Sequence, residues 1–222
     1  MTETAIAMAV AGAVFFAAEI VYDKFVRRES KLRRAIARHR RVPIEEATDG
    51  VVHVAGVVRP AGDVVRAPAT GRSCVAFQLV VREPSRGVYV NVLIASDARP
   101  FVLTDDSGEA MVDLIGGPFR LIGDQRGTMW CTAKADTPEM QVLRELLDIA
   151  TVPTTTLLGF AKRLRYREVV LLEGDDVSVV GRGERVVAVQ GERLGYRDLP
   201  SRLVMRGAPD EPLIIGRHVV AE

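Results

Sequence analysis

Apolar and polar positions change period several times along this 222-residue chain. Residues 5–18 form an uninterrupted apolar run (AIAMAVAGAVFFAA), which extends past Glu19 through Ile20, Val21 and Tyr22. A helix over 5–22 would be about 27 Å long at ~1.5 Å per residue, close to the ~30 Å hydrocarbon core of a bilayer. No basic residue precedes the run, and Phe16-Ala17-Ala18 places a large side chain where a cleavage site wants a small one. The pattern therefore predicts a retained membrane anchor, with a soluble or interfacial helix as the alternative. The helical reading continues through 23–41, where Phe25, Leu32 and Ile36 share a loose face, and Pro43 ends it. Residues 43–50 (PIEEATDG) read as an acidic, turn-prone hinge. The expected division is an anchor at 1–22, a basic juxtamembrane helix and hinge at 23–45, and a β-rich domain at 46–222.

From Val51 the period becomes that of strands. VVHVAGVVRP is a β-branched run closed by Pro60, AGDVVRAP a short return strand, and CVAFQLVVRE with GVYVNVLIA a long hairpin about residues 84–87. PFVLTDDSGEAMVDL repeats the device around Asp105-Asp106-Ser107-Gly108, and FRLIGD and TMWCTA follow. Asp136 or Thr137 as cap, Pro138 at the first helical position and the stripe Met140, Leu143, Leu146 and Leu147 predict a helix to about residue 150. LLGFAKRLR, at 157–165, reads as a second short helix. Strands resume at YREVVLLEGDDVSVV, RVVAVQ and EPLIIGRHVV, with Gly181-Arg182-Gly183 read as a hairpin turn. The fold class is mainly β (α+β): a small barrel or sandwich with one or two helices inserted near 137–165.

Charge sharpens this division. Residues 23–41 carry nine cations (Lys24, Arg27, Arg28, Lys31, Arg33, Arg34, Arg38, Arg40 and Arg41) against Asp23 and Glu29, a balance of +7. Residues 42–222 carry 21 Lys/Arg against 25 Asp/Glu, a balance of −4. An acidic body excludes a general nucleic-acid surface. Cations on the C-terminal side of an apolar run predict a single-pass protein of the inner or cell membrane, its N-terminus outside and its domain cytoplasmic. Lys24, Arg27, Arg28, Lys31, Arg33 and Arg34 would meet anionic head groups, and the same helix could pair with a second copy.

The search for chemistry is mostly negative. His39, His53 and His218 lack ligand-spaced neighbours, and there is no G-x-S-x-G, Walker A or H-E-x-x-H pattern. Neither a metal nor a cofactor is expected. The carboxylates at Asp105-Asp106 and Glu173-Gly174-Asp175-Asp176 fall where turns want Asp and Gly. Cys74 and Cys131 sit in apolar strand contexts as buried thiols, with a disulfide left open in an oxidising compartment.

Four phrases in order, HVAGVVRP, RAPATGRSCVAF, PFVLTDDSGEAMVD and YREVVLLEGDDVSVVGRG, resemble the GIDE domain, also called the beside-a-membrane domain. The matching positions are His53, Pro68, Cys74, Asp105, Gly108, Glu168, Gly174 and Asp175. This resemblance implies an OB-like or related small barrel beside a bilayer. The family's eukaryotic ubiquitin ligases also carry a RING with about eight zinc ligands. Five scattered Cys and His residues cannot supply one, so the resemblance implies no transferase activity. The expected function is a membrane-anchored, non-catalytic module that binds a protein partner. The alternatives are a RING-less component related to membrane ubiquitin-ligase-type proteins, or a hydrolase.

Overall fold

The computed structural model describes residues 32–85, 88–115, 117–123, 127–130, 138–156, 158–187 and 201–217. Among these described residues there are thirteen strands and two helices. They are α1 (32–38), β1 (Gly50–Pro60), β2 (Val65–Arg66), β3 (Ser73–Cys74), β4 (Ala76–Ser85), β5 (Val88–Ala98), β6 (Phe101–Thr104) and β7 (Glu109–Asp113). Then come β8 (Phe119–Ile122), β9 (Gly127–Trp130), α2 (Pro138–Ile149), β10 (Arg163–Leu171), β11 (Asp176–Val187), β12 (Ser201–Arg206) and β13 (Leu213–Arg217).

Five strands close into a barrel in the order β1-β6-β7-β12-β11 and back to β1. Every ring contact is antiparallel except β7 with β12. Closure depends on two long strands. β1 pairs with β11 over residues 50–57 and with β6 over 57–60, while β11 pairs with β13 over 177–180 and then with β12 over 182–187. The β-branched period-two pattern fills the interior. Val54 and Val58 of β1, Phe101 and Leu103 of β6, Val112 of β7, Val179 of β11 and Leu203 and Met205 of β12 are fully buried. Each such large side chain contributes about 1.5–3 kcal/mol by leaving water.

A second sheet, β5-β4-β10-β9, leans on the barrel. Phe77, Leu79 and Val81 of β4 pack with Leu143 and Leu147 of α2 in a separate core, whereas Ala76 joins the barrel core. Gln78 pins the two bodies: its Nε2 donates to the Phe119 carbonyl at 3.1 Å, and its Oε1 accepts from Leu121 N at 3.0 Å. A strand buried on both faces explains the nearly continuous apolar run CVAFQLVV.

Several expectations need correcting. The second helix over 157–165 is instead a bridged turn, Thr155 opposite Ala161, that leads into β10. Gly159, at φ 79°, breaks helical geometry, and Leu164 is buried in strand alternation. Gly181-Arg182-Gly183 is not a turn but the middle of β11. The short strand β2 pairs with β3 rather than returning to β1. The basic helix stops at residue 38, and Arg41 makes a parallel bridge with His53. Among the described residues no helix is long and apolar enough to cross a membrane. The anchor expected at 5–22, Lys24, Arg27, Arg28, Lys31 and Cys131 lie outside the described residues.

Candidate functional site

The motif carboxylates are each spent on a loop. Asp105 Oδ1 accepts from Ser107 N (2.8 Å), Ser107 Oγ (2.6 Å) and Gly108 N (2.9 Å), while its Oδ2 accepts from Ile44 N at 3.0 Å. Burial pushes the Asp105 carboxyl up, but these bonds to the charged form outweigh it and hold the group below the ordinary 3.8. Asp175 Oδ2 accepts from Leu172 N at 2.9 Å, and its Oδ1 lies 3.3 Å from Arg217 Nη2. Gly174, at φ 80°, makes the turn before it and donates to the Val58 carbonyl at 2.9 Å.

Glu168 is fully buried in the phase of β10 that also points Leu164 and Val170 into the α2 core. Its Oε1 accepts from Ala69 N at 2.8 Å and its Oε2 from Thr70 Oγ1 at 2.6 Å, which fastens the loop containing buried Pro68. Cys74 is 1% exposed, and burial followed by the charge of Glu168 raises its thiol to about 11. That suppresses the thiolate, so Cys74 is a packing residue rather than a nucleophile. His53 Nδ1 lies 2.8 Å from the His39 carbonyl, which only accepts, so that nitrogen carries the proton. His53 thereby latches the end of the basic segment to β1, helped by Val42 N on the His53 carbonyl at 3.0 Å. Pro68, Cys74 and Glu168 thus come together, whereas Asp105 with Gly108 and Gly174 with Asp175 each serve their own turn. Among the described residues no group of three His, Cys, Asp or Glu could hold a metal.

Arg33 and Arg34 are exposed on α1, while Leu32, Ala35 and Ile36 of the same helix are half-buried. Ile36 Cδ1 reaches to 3.3 Å from where a Cβ on Gly216 would stand, so α1 rests on β13 and turns its arginines outward.

Two concavities stand out. An open hollow of about 550 Å³ is lined by Glu45, Glu46, Asp49 and Arg185. The Arg185 guanidinium bonds the carbonyls of Ile44 (2.6 Å), Glu45 and Ala47 (2.9 Å), so its donors serve the 43–50 segment rather than a ligand. A crevice of about 40 Å³ between Val169, Leu121 and Ile215 has room for little more than a water.

The accessible binding features lie on the second sheet. β5 spans eleven residues and is an edge strand, paired only with β4 among the described residues. Val88 and Ile94 are exposed along it, at 54% and 50%. At the start of β10 in this sheet, the 154–162 turn presents Leu158 and Phe160. No known protein family, curated protein or solved structure matches this chain. The functional assignment therefore rests on geometry. Sequence reasoning located the carboxylate turns and the β5 strand but missed the edge position of β5 and the 158–160 tip, since apolar alternation does not say which strand ends up at an edge.

Proposed function

We propose that this chain is a membrane-anchored, non-catalytic module whose OB-like barrel supports a second sheet that binds an extended segment of a partner protein on the cytoplasmic face. The observation that carries it is β5, an eleven-residue edge strand with exposed apolar side chains and no second neighbour among the described residues. Edges of that length are normally blocked by charge, proline or a covering element, because unpaired N–H and C=O groups recruit another strand. Here the exposed centre carries Ile94, and charge appears only towards the end, at Asp97. A segment added there would gain main-chain hydrogen bonds, with alternate side chains read by the sheet face. The motif residues shared with the GIDE domain fasten loops, which supports reading them as a signature of the fold, in keeping with a RING-less relative of the membrane ligases. Anionic head groups remain the proposed partner of the basic segment at 24–34.

The test is site-specific photocrosslinking from positions 88 and 94 of the full chain in native membranes. Adducts to a discrete protein are expected at both positions, and a Val88→Lys/Ile94→Lys chain of unchanged melting temperature should lose the partner. Adducts to lipid or to nothing at either position would refute the edge-strand reading.

A further inference from the structure

The 158–160 tip carries more than the edge strand does. Leu158 is 82% exposed and Phe160 67%, and Ile149 at the end of α2 is 80% exposed. Large apolar groups this open do not line a groove, and neither concavity includes them. The main chain behind them is tied within the turn: Thr156 N donates to the Phe160 carbonyl (2.7 Å), Phe160 N to Thr156 Oγ1 (3.1 Å), Gly159 N to the Thr156 carbonyl (2.9 Å) and Lys162 N to the Thr154 carbonyl (2.9 Å). Each bond made inside the turn lowers the cost of bringing its backbone towards an apolar phase. Cations follow at once on β10. Arg163 and Arg165 are exposed, and the Arg165 guanidinium lies 4.5 Å from the centre of the Tyr89 ring on the neighbouring hairpin. The nearby acid Glu83 is paired with Lys162 at 3.0 Å, and the closest exposed acid in sequence among the described residues is Asp148 on α2.

We infer that the 158–160 tip is a lipid-docking wedge, which inserts Leu158 and Phe160 below anionic head groups that Arg163 and Arg165 hold. At ~3.3 Å per residue Arg163 lies about 10 Å behind Phe160. An interfacial element buries its apolar face about 5–10 Å, so Arg163 arrives at phosphate depth as Phe160 reaches the acyl boundary. The order from the tip inward is apolar side chains, then cations with a tyrosine, then a paired and acidic body. A bilayer interface has the same order of layers. A protein partner would have to bring a pocket for two fully projecting side chains. The wedge is independent of partner binding at β5. It would give the domain a second membrane contact besides the basic segment.

Full-length chain carrying Phe160→Trp is mixed with vesicles of phosphatidylcholine, alone or with phosphatidylglycerol, with brominated acyl chains as quenchers. The parent chain, whose single tryptophan is Trp130, provides the background. Added emission that shifts to the blue and is quenched by the bromines, more strongly with phosphatidylglycerol, is expected. Arg163→Gln and Arg165→Gln should each lower the docked-to-undocked ratio about fivefold. Quenching no greater than the parent's in both lipids overturns the proposal. So does a blue shift that needs no vesicles and grows with protein concentration, because a second copy would then cover the tip. Amide exchange of residues 154–162 in the unsubstituted chain supplies a second readout. It should slow on anionic vesicles, and an unchanged rate also overturns the proposal.

Discussion

Asp105 shows how a residue that could pass for a catalytic carboxylate works as a fastener. Three of its hydrogen bonds close the β6–β7 turn, and the fourth, from Ile44 N, reaches 61 residues back along the chain. Its folded pKa lies below the ordinary 3.8, so the stability it adds is present above that value and is lost as pH falls through the lower folded value. Asp105→Ala should cost about 2 kcal/mol at neutral pH, because Ile44 N loses its partner inside the protein. Its denaturant midpoint should also fall less than the parent's between neutral pH and pH 3. Urea titrations at several pH values decide it, and parallel curves for the two chains would mean the carboxylate does not act through its charge. Glu168 was less legible in sequence than Asp105. A lone carboxylate in a strand normally faces water, and only the fold shows Ala69 and Thr70 waiting for it in the α2 core.

At the scale of elements, closure of the barrel depends on a glycine in β1. A Cβ on Gly56 would stand 2.3 Å from the Thr104 carbonyl oxygen and 2.8 Å from its carbon, so β1 and β6 touch backbone to backbone where the ring seals. Gly56→Ala should therefore destabilise by roughly 3 kcal/mol, since no flexible side chain is there to yield. Gly62→Ala, with nothing within 4 Å, should stay within about 0.5 kcal/mol of the parent. Equal unfolding midpoints for the two variants would dispose of the tight seam. The same physics explains which elements could be read in advance. The β4–β5 and β6–β7 hairpins were legible because turn residues and period-two alternation are local. Gly181 and Gly183 were misread because their reason is remote. A side chain at 181 would strike Leu213, and one at 183 would strike Leu203 and Val52. The parallel pairing of β7 with β12 leaves no local trace either. The apolar residues of 157–165 fit a helical stripe as well as an exposed tip, and only Gly159 argued for the turn.

For the whole molecule, the decisive question is where the folded body begins. Composition put the boundary at a hinge over 43–50, but that segment is packed: Ile44 is 1% exposed, Ala47 is 2% exposed, and both belong to the barrel core. Arg185 and Asp105, from opposite halves of the chain, grip its backbone, and Arg185 N donates to Asp49 Oδ1 at 2.7 Å. By contrast α1 contributes only half-buried Leu32, Ala35 and Ile36. With a chain beginning at residue 32 as reference, removal of 32–41 should cost about 2 kcal/mol, from partly exposed side chains and from buried His53 Nδ1 left without the His39 carbonyl. Further removal of 42–49 should cost about 4 kcal/mol or more, the sum of a large aliphatic taken from the core and backbone partners left unpaired on Arg185 and Asp105. Thermal and urea unfolding of the three chains would separate these steps. Equal losses at both would mean that 43–50 swings as a linker, and any contact of the barrel with the membrane would then be loosely tethered. A large loss confined to the second step would instead fix the domain's orientation to the basic helix through a segment that is part of its own core. Under that constraint the body would hold the proposed 158–160 wedge at one fixed height relative to the proposed anchor.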